Sequence, residues 1–82
     1  MNSWEQKRYN DAKNLYMNLP VEEAYAIFVG NAPTSPAKYA FWLGCRNVRK
    51  SPFPRKTLGY AWWKAGRERK QELESHHAQV SL

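Results

Sequence analysis

The sequence predicts an all-α fold, and three observations carry that reading. Apolar residues recur at three- and four-residue intervals in four stretches, no stretch alternates long enough to form a strand, and the prolines fall between the stretches. At 82 residues the chain fits one small domain around one core. Residues 1–82 therefore read as a single helical domain, with helices at 3–18, 21–30, 36–50 and 55–74 and a flexible tail over 75–82.

The first helix opens on Ser3, an N-cap with Gln6 three residues on, and Leu19-Pro20 ends it. Its apolar face is Tyr9, Ala12 and Tyr16, helped by Trp4 and Leu15. Pro20 suits the first turn of the second helix, Glu22 and Glu23 suit its positive end, and Val21, Ala24, Tyr25 and Phe28 face inward until Gly30-Asn31 closes it. The third helix takes Thr34 or Ser35 as its cap and Pro36 in its first turn. Ala37, Ala40, Phe41, Gly44, Cys45 and Val48 form its stripe, and Arg49 and Lys50 suit its negative end. Ser51-Pro52-Phe53-Pro54 is a stiff break, since each proline fixes its own torsion and restricts the residue before it. The fourth helix shows Leu58, Ala61, Trp62, Ala65 and Leu73 on one face, and Ser75 onward reads as frayed.

Several function classes recede at this point. Mean hydropathy is −0.81, no apolar run approaches the roughly eighteen residues of a membrane span, and the start lacks a signal-peptide pattern, so a cytoplasmic protein with no membrane partner is expected. Cys45 is the single cysteine and falls on a core stripe, which predicts a buried, inert thiol rather than a nucleophile. His76 and His77 are adjacent and point apart on a helix, so a solvated tail is expected there rather than a metal site. No phosphate-binding glycine loop, zinc spacing or serine nucleophile motif occurs. The chain is accordingly read as no enzyme, with no catalytic residue, no cofactor, no metal and no small-molecule substrate.

Charge points to a partner. Net charge is +6, yet residues 38–70 carry ten Lys and Arg against only Glu68, while both flanks are slightly acidic. Seven of the twelve aromatic residues lie in the same block. Off the core stripes, Tyr39, Trp42, Arg46 and Arg49 share one flank of the third helix, and Tyr60, Trp63, Lys64, Arg67 and Lys70 share one flank of the fourth. Rings that stack on unpaired bases beside cations that hold phosphates are the working parts of an RNA-binding surface. Arg46, Arg49, Lys50, Arg55, Lys56, Lys64, Arg67 and Lys70 are the expected phosphate contacts, and Trp42, Phe53 and Trp63 the expected stacking or interface rings. The competing reading is that the two tryptophans only widen the core.

Three segments carry a resemblance: Ala40-Phe41-Trp42-Leu43-Gly44, then Ser51-Pro52-Phe53, then Trp63-Lys64-Ala65-Gly66. Their order resembles that of the ribosome modulation factor family of small basic bacterial proteins and its phage-encoded relatives: an aromatic-x-x-glycine helix, a Pro-aromatic turn and a Trp-x-x-Gly helix. Phe53 stands where the family's turn has tyrosine, Arg67 where an aromatic commonly follows the last glycine, and some 35 N-terminal residues have no counterpart. The resemblance implies a ribosome-associated protein that contacts small-subunit ribosomal RNA and blocks initiation.

The leading expectation is thus a non-enzymatic RNA-binding protein whose partner is ribosomal RNA or the small ribosomal subunit. A second expectation is a phage- or plasmid-encoded inhibitor or adaptor that docks on a host protein complex such as a nucleic-acid-processing enzyme, because aromatic and arginine side chains also anchor protein interfaces. Helix-turn-helix DNA binding ranks lower, since the proline-rich connection is unlike the usual short turn.

Overall fold

The computed structural model describes residues 2–46 and 49–81. It is all-α, with α1 at Ser3–Met17, α2 at Val21–Val29, α3 at Pro36–Cys45 and α4 at Leu58–Val80. The 23-residue α4 spans about 35 Å at the helical rise and packs against each of the other three helices.

Side-chain caps fix two of the helix starts. Asn2, one residue ahead of the expected Ser3, caps α1 by accepting the Glu5 N–H at 2.8 Å. Thr57 caps α4, accepting the Tyr60 N–H at 3.3 Å while its hydroxyl donates to the Pro54 carbonyl at 2.7 Å. The fourth helix consequently begins at Leu58 rather than at 55. The third ends at Cys45, short of the expected 50: the Arg46 N–H donates to Leu43 O at 3.1 Å, a tightened last turn, and Arg49 and Lys50 pass from helix end to connecting turn. Val48, expected on the α3 stripe, lies outside the described residues.

The tail reading is corrected most. Residues 75–80 are helical, because α2 supplies them with a partner. The Tyr25 ring meets His76 edge-on at 4.7 Å, and its hydroxyl lies 2.8 Å from His77 Nδ1.

Two glycines set the α3–α4 distance. A Cβ on Gly44 would strike the Trp63 carbonyl and lie 2.9 Å from the Arg67 nitrogen; one on Gly66 would strike the Phe41 carbonyl and lie 3.2 Å from the Cys45 nitrogen. Each helix therefore rests its backbone in the other's gap, and this close approach offsets the roughly 1 kcal/mol that glycine costs inside a helix. The Cys45 thiol, almost fully buried, donates to Gly66 O at 3.5 Å across the same seam. Burial pushes its pKa up to about 12, so the neutral thiol expected from the sequence is what the fold holds.

Tyr16, Ala24, Phe41, Cys45, Ala65 and Leu73 form the core. Tyr16 lies tilted on Phe41 at 5.5 Å, and burial raises the pKa of its hydroxyl. Trp4 and Leu15, expected to help the core, are 64% and 62% exposed, because α1 turns Tyr9, Ala12, Lys13, Tyr16 and Met17 toward its neighbours instead. At the end of α1 a charged residue completes the packing. Arg69, 5% exposed, donates from Nη1 to Tyr16 O at 3.0 Å and Leu19 O at 2.7 Å, and from Nε to Glu72 Oε1 at 2.8 Å. It thereby satisfies carbonyls at the helix end that have no intrahelical partner. Lys13 adds an ion pair to Glu68 at 2.7 Å.

Candidate nucleic-acid interface

The α3–α4 turn is built to hold its shape. Pro52 and Pro54 remove two torsional freedoms, Ser51 Oγ accepts the Phe53 N–H at 3.0 Å, and the Thr57 N–H donates to Pro54 O at 3.1 Å. The Phe53 ring consequently lies over Gly59, so close that a Cβ there would press into it.

Under this turn lies a pocket of about 260 Å³, lined by Arg49, Lys50, Ser51, Phe53, Arg55, Tyr60 and Trp63. Its rim is cationic and its inner wall aromatic. Arg49, Lys50, Arg55 and neighbouring Lys56 are exposed, and among the described residues no carboxylate forms an ion pair with any of them. Tyr60 and Trp63 continue the aromatic wall at 5.7 Å, and Tyr9 of α1 stacks on Tyr60 at 6.3 Å. Burial, with the neighbouring Tyr60 second, raises the Tyr9 pKa and keeps its hydroxyl neutral.

The two flanks expected from the sequence share one construction. On α3, Tyr39 stacks on Trp42 at 5.9 Å and the Arg46 guanidinium sits 4.2 Å over the same ring. On α4, Tyr60 leans on Trp63, and Arg67 lies 5.4 Å over it. Both are ladders of tyrosine, tryptophan and arginine at i, i+3 and i+7.

The ladders correct several expected contacts. Trp63 is 5% exposed, so it is a wall of the pocket and not a free platform; its indole N–H is buried without a hydrogen-bond partner among the described residues. Trp42 is half-buried, and its indole N–H donates to Gly30 O at 3.1 Å. Arg46 donates to the same carbonyl at 3.3 Å, which makes the pair a bracket holding the end of α2. Lys70 is held by Glu74 at 2.7 Å. Lys64 lies 5.9 Å over Tyr60. Of the expected contacts, the structure brings together Arg49, Lys50, Arg55, Phe53 and Trp63, places Lys56 beside them, and ties Arg46 and Lys70 elsewhere.

Ser51 belongs to the pocket and was outside the expected contact set; Tyr60, expected on the fourth helix's aromatic-basic flank though not among the stacking rings, lines it as well. Tyr60 had a signal, since Thr57 three residues earlier is the cap that places it in the first turn of α4.

A second concavity, about 410 Å³, lies between α1, α2 and the start of α3, lined by Leu15, Tyr16, Leu19, Ala26 and Ile27 with Glu23 and Lys38 at its edge. No described helix is long and apolar enough to cross a membrane. Comparison of the chain with family models, with curated proteins and with solved structures finds no match.

Proposed function

We propose that the protein is a non-enzymatic RNA-binding protein that associates with the small ribosomal subunit and modulates translation. One observation carries the reading: Arg49, Lys50 and Arg55, exposed like the adjacent Lys56 and without a described carboxylate partner, line an aromatic pocket on a turn held rigid by two prolines. Unpaired cations beside rings match phosphates beside bases. The ribosomal part rests on the resemblance at Ala40–Gly44, Ser51–Phe53 and Trp63–Gly66, segments that here form the α3–turn–α4 unit. Acid–base or thiol chemistry at Cys45 is disfavoured, since burial holds the thiol protonated far above neutral pH.

The test is sedimentation of tagged protein through a sucrose gradient at low and high salt, with and without nuclease. Co-migration with the small subunit, lost at high salt, is expected. Arg49→Glu with Arg55→Glu is expected to abolish it while leaving helicity intact, and purified RNA binding should weaken with salt by about 0.7 log units per log unit for each phosphate held. Unchanged co-migration of the double variant would remove the assignment.

A second reading, an adaptor docked on a host protein complex, is favoured by the apolar concavity beside the exposed Leu15. Nuclease separates the two: partners held through RNA are released, and protein partners stay bound.

A further inference from the structure

The pocket is more selective than a basic surface needs to be. Phosphate binding alone asks for cations on an open face. Here Arg49, Lys50 and Arg55 rim a recess walled by Phe53, Tyr60 and Trp63. Its volume of about 260 Å³ falls just below the roughly 300–1,000 Å³ of pockets for drug-sized ligands, a size suited to one planar ring system. We infer that this recess takes the base of a single unpaired nucleotide while the three cations hold the phosphates on either side of it.

Three arguments support the inference, which rests on the RNA-binding reading and deepens it. In a continuous A-form duplex the bases are stacked inward and its deep groove is too narrow for side chains to read, so a recess walled by rings has nothing to receive there; a bulged or looped nucleotide offers both faces. The walls are set before binding. Phe53 is fixed by the Ser51 hydroxyl behind it and by Gly59 beneath it, and Tyr60 by the Thr57 cap, so seating a base orders little that is not already ordered. The rim, finally, gathers three cations that no described carboxylate holds. Arg46, Lys70 and Arg69 are committed to Gly30, Glu74 and the end of α1.

The experiment uses the full chain and three RNA hairpins of one stem sequence, read by fluorescence anisotropy at one salt concentration. One stem is fully paired, one carries a single bulged adenosine, and one carries an abasic ribose phosphate at the bulge. The bulged adenosine is expected to bind about tenfold tighter than the paired stem, the worth of one stacked base, and the abasic bulge to match the paired stem. Phe53→Leu should bring the ratio of bulged-stem to paired-stem affinity down to about one. Equal binding of all three hairpins by the unaltered protein would overturn the seated base and leave the RNA reading standing. Failure to bind any of them would overturn both.

Discussion

Replacing Gly66 with alanine tests the packing of the fold at its tightest point. Alanine is favoured over glycine in a helix interior by about 1 kcal/mol, so propensity alone says that Gly66→Ala stabilises α4. Geometry opposes it. The new methyl would meet the Phe41 carbonyl and the Cys45 nitrogen, and both are backbone, so no side chain can swing aside. The helices must separate, and a gap of half to one ångström forfeits about a quarter to a half of the dispersion energy of every atom pair across the seam. Overpacking of this kind costs about 1–3 kcal/mol, and rigid backbone on both sides places this case at the upper end. After subtracting the propensity gain, a net loss of about 2 kcal/mol remains, equivalent to a fall of roughly 8–16 °C in melting temperature for a domain this size. Gly44→Ala, facing the Trp63 carbonyl and the Arg67 nitrogen, should behave alike. Gly59→Ala is the internal comparison, because the nearest atoms its methyl meets belong to the Phe53 side chain rather than to backbone. Urea denaturation followed by far-UV circular dichroism gives the three midpoints. A Gly66→Ala or Gly44→Ala midpoint at or above the parent's would refute the close approach and with it the seam.

Gly59→Ala should stay within about 1 kcal/mol of the parent in stability yet lower affinity for the bulged hairpin, because the displaced Phe53 ring no longer walls the recess. Arg69→Met removes donors from Tyr16 O and Leu19 O, and a urea midpoint lower by about 3 kcal/mol equivalent is expected; an unchanged midpoint would mean that water replaces the guanidinium at no cost. The hydrogen bond from Arg69 lowers the pKa of Glu72, so its contribution is full above the ordinary glutamate range and fades as pH falls through the lowered value. Glu72→Gln should flatten the acid limb of a stability–pH curve. At the alkaline limb the folded thiol of Cys45 titrates near 12 rather than 9.0, so its contribution is full below about pH 9 and is lost as pH climbs toward 12. At pH 8 a thiol reagent should label Cys45 only as fast as the protein opens, and labelling at the rate of a free thiol would contradict its burial.

The helices were legible because their punctuation is local: the prolines, the Gly30 stop and the turn at Ser51-Pro52-Phe53-Pro54 act over a few residues. The registers that failed depend on how many neighbours a helix has. A single apolar stripe on α4 chooses Trp62 over Trp63, but α4 is packed by three helices, so its buried surface widens to take in Trp63, Gly66 and even Arg69. Arg69 could not be told from its neighbours by sequence, since its acceptors are the Tyr16 and Leu19 carbonyls some fifty residues away. The helical 75–80 segment failed for the same reason: its composition reads as solvated, and only Tyr25 of α2 reveals a partner. At the interface, charge and aromatic phasing located the right block of chain, but which cations remain unpaired is a tertiary fact.

The gap between Gly44 and Gly66 also bears on the order in which the protein assembles. The two residues lie 22 positions apart on a connection stiffened by two prolines, so closing that loop costs less chain entropy than bringing in α1, and the seam between α3 and α4 can form before more distant segments meet. The carbonyls that Arg69 binds lie far off in sequence, and most of the surface on which α1 docks is supplied by α4. Loosening the glycine seam should therefore slow folding, whereas removing the Arg69 contacts should chiefly hasten unfolding. The same helical pair that carries the basic recess would then be the nucleus of the domain, and the N-terminal helices its late-arriving clasp.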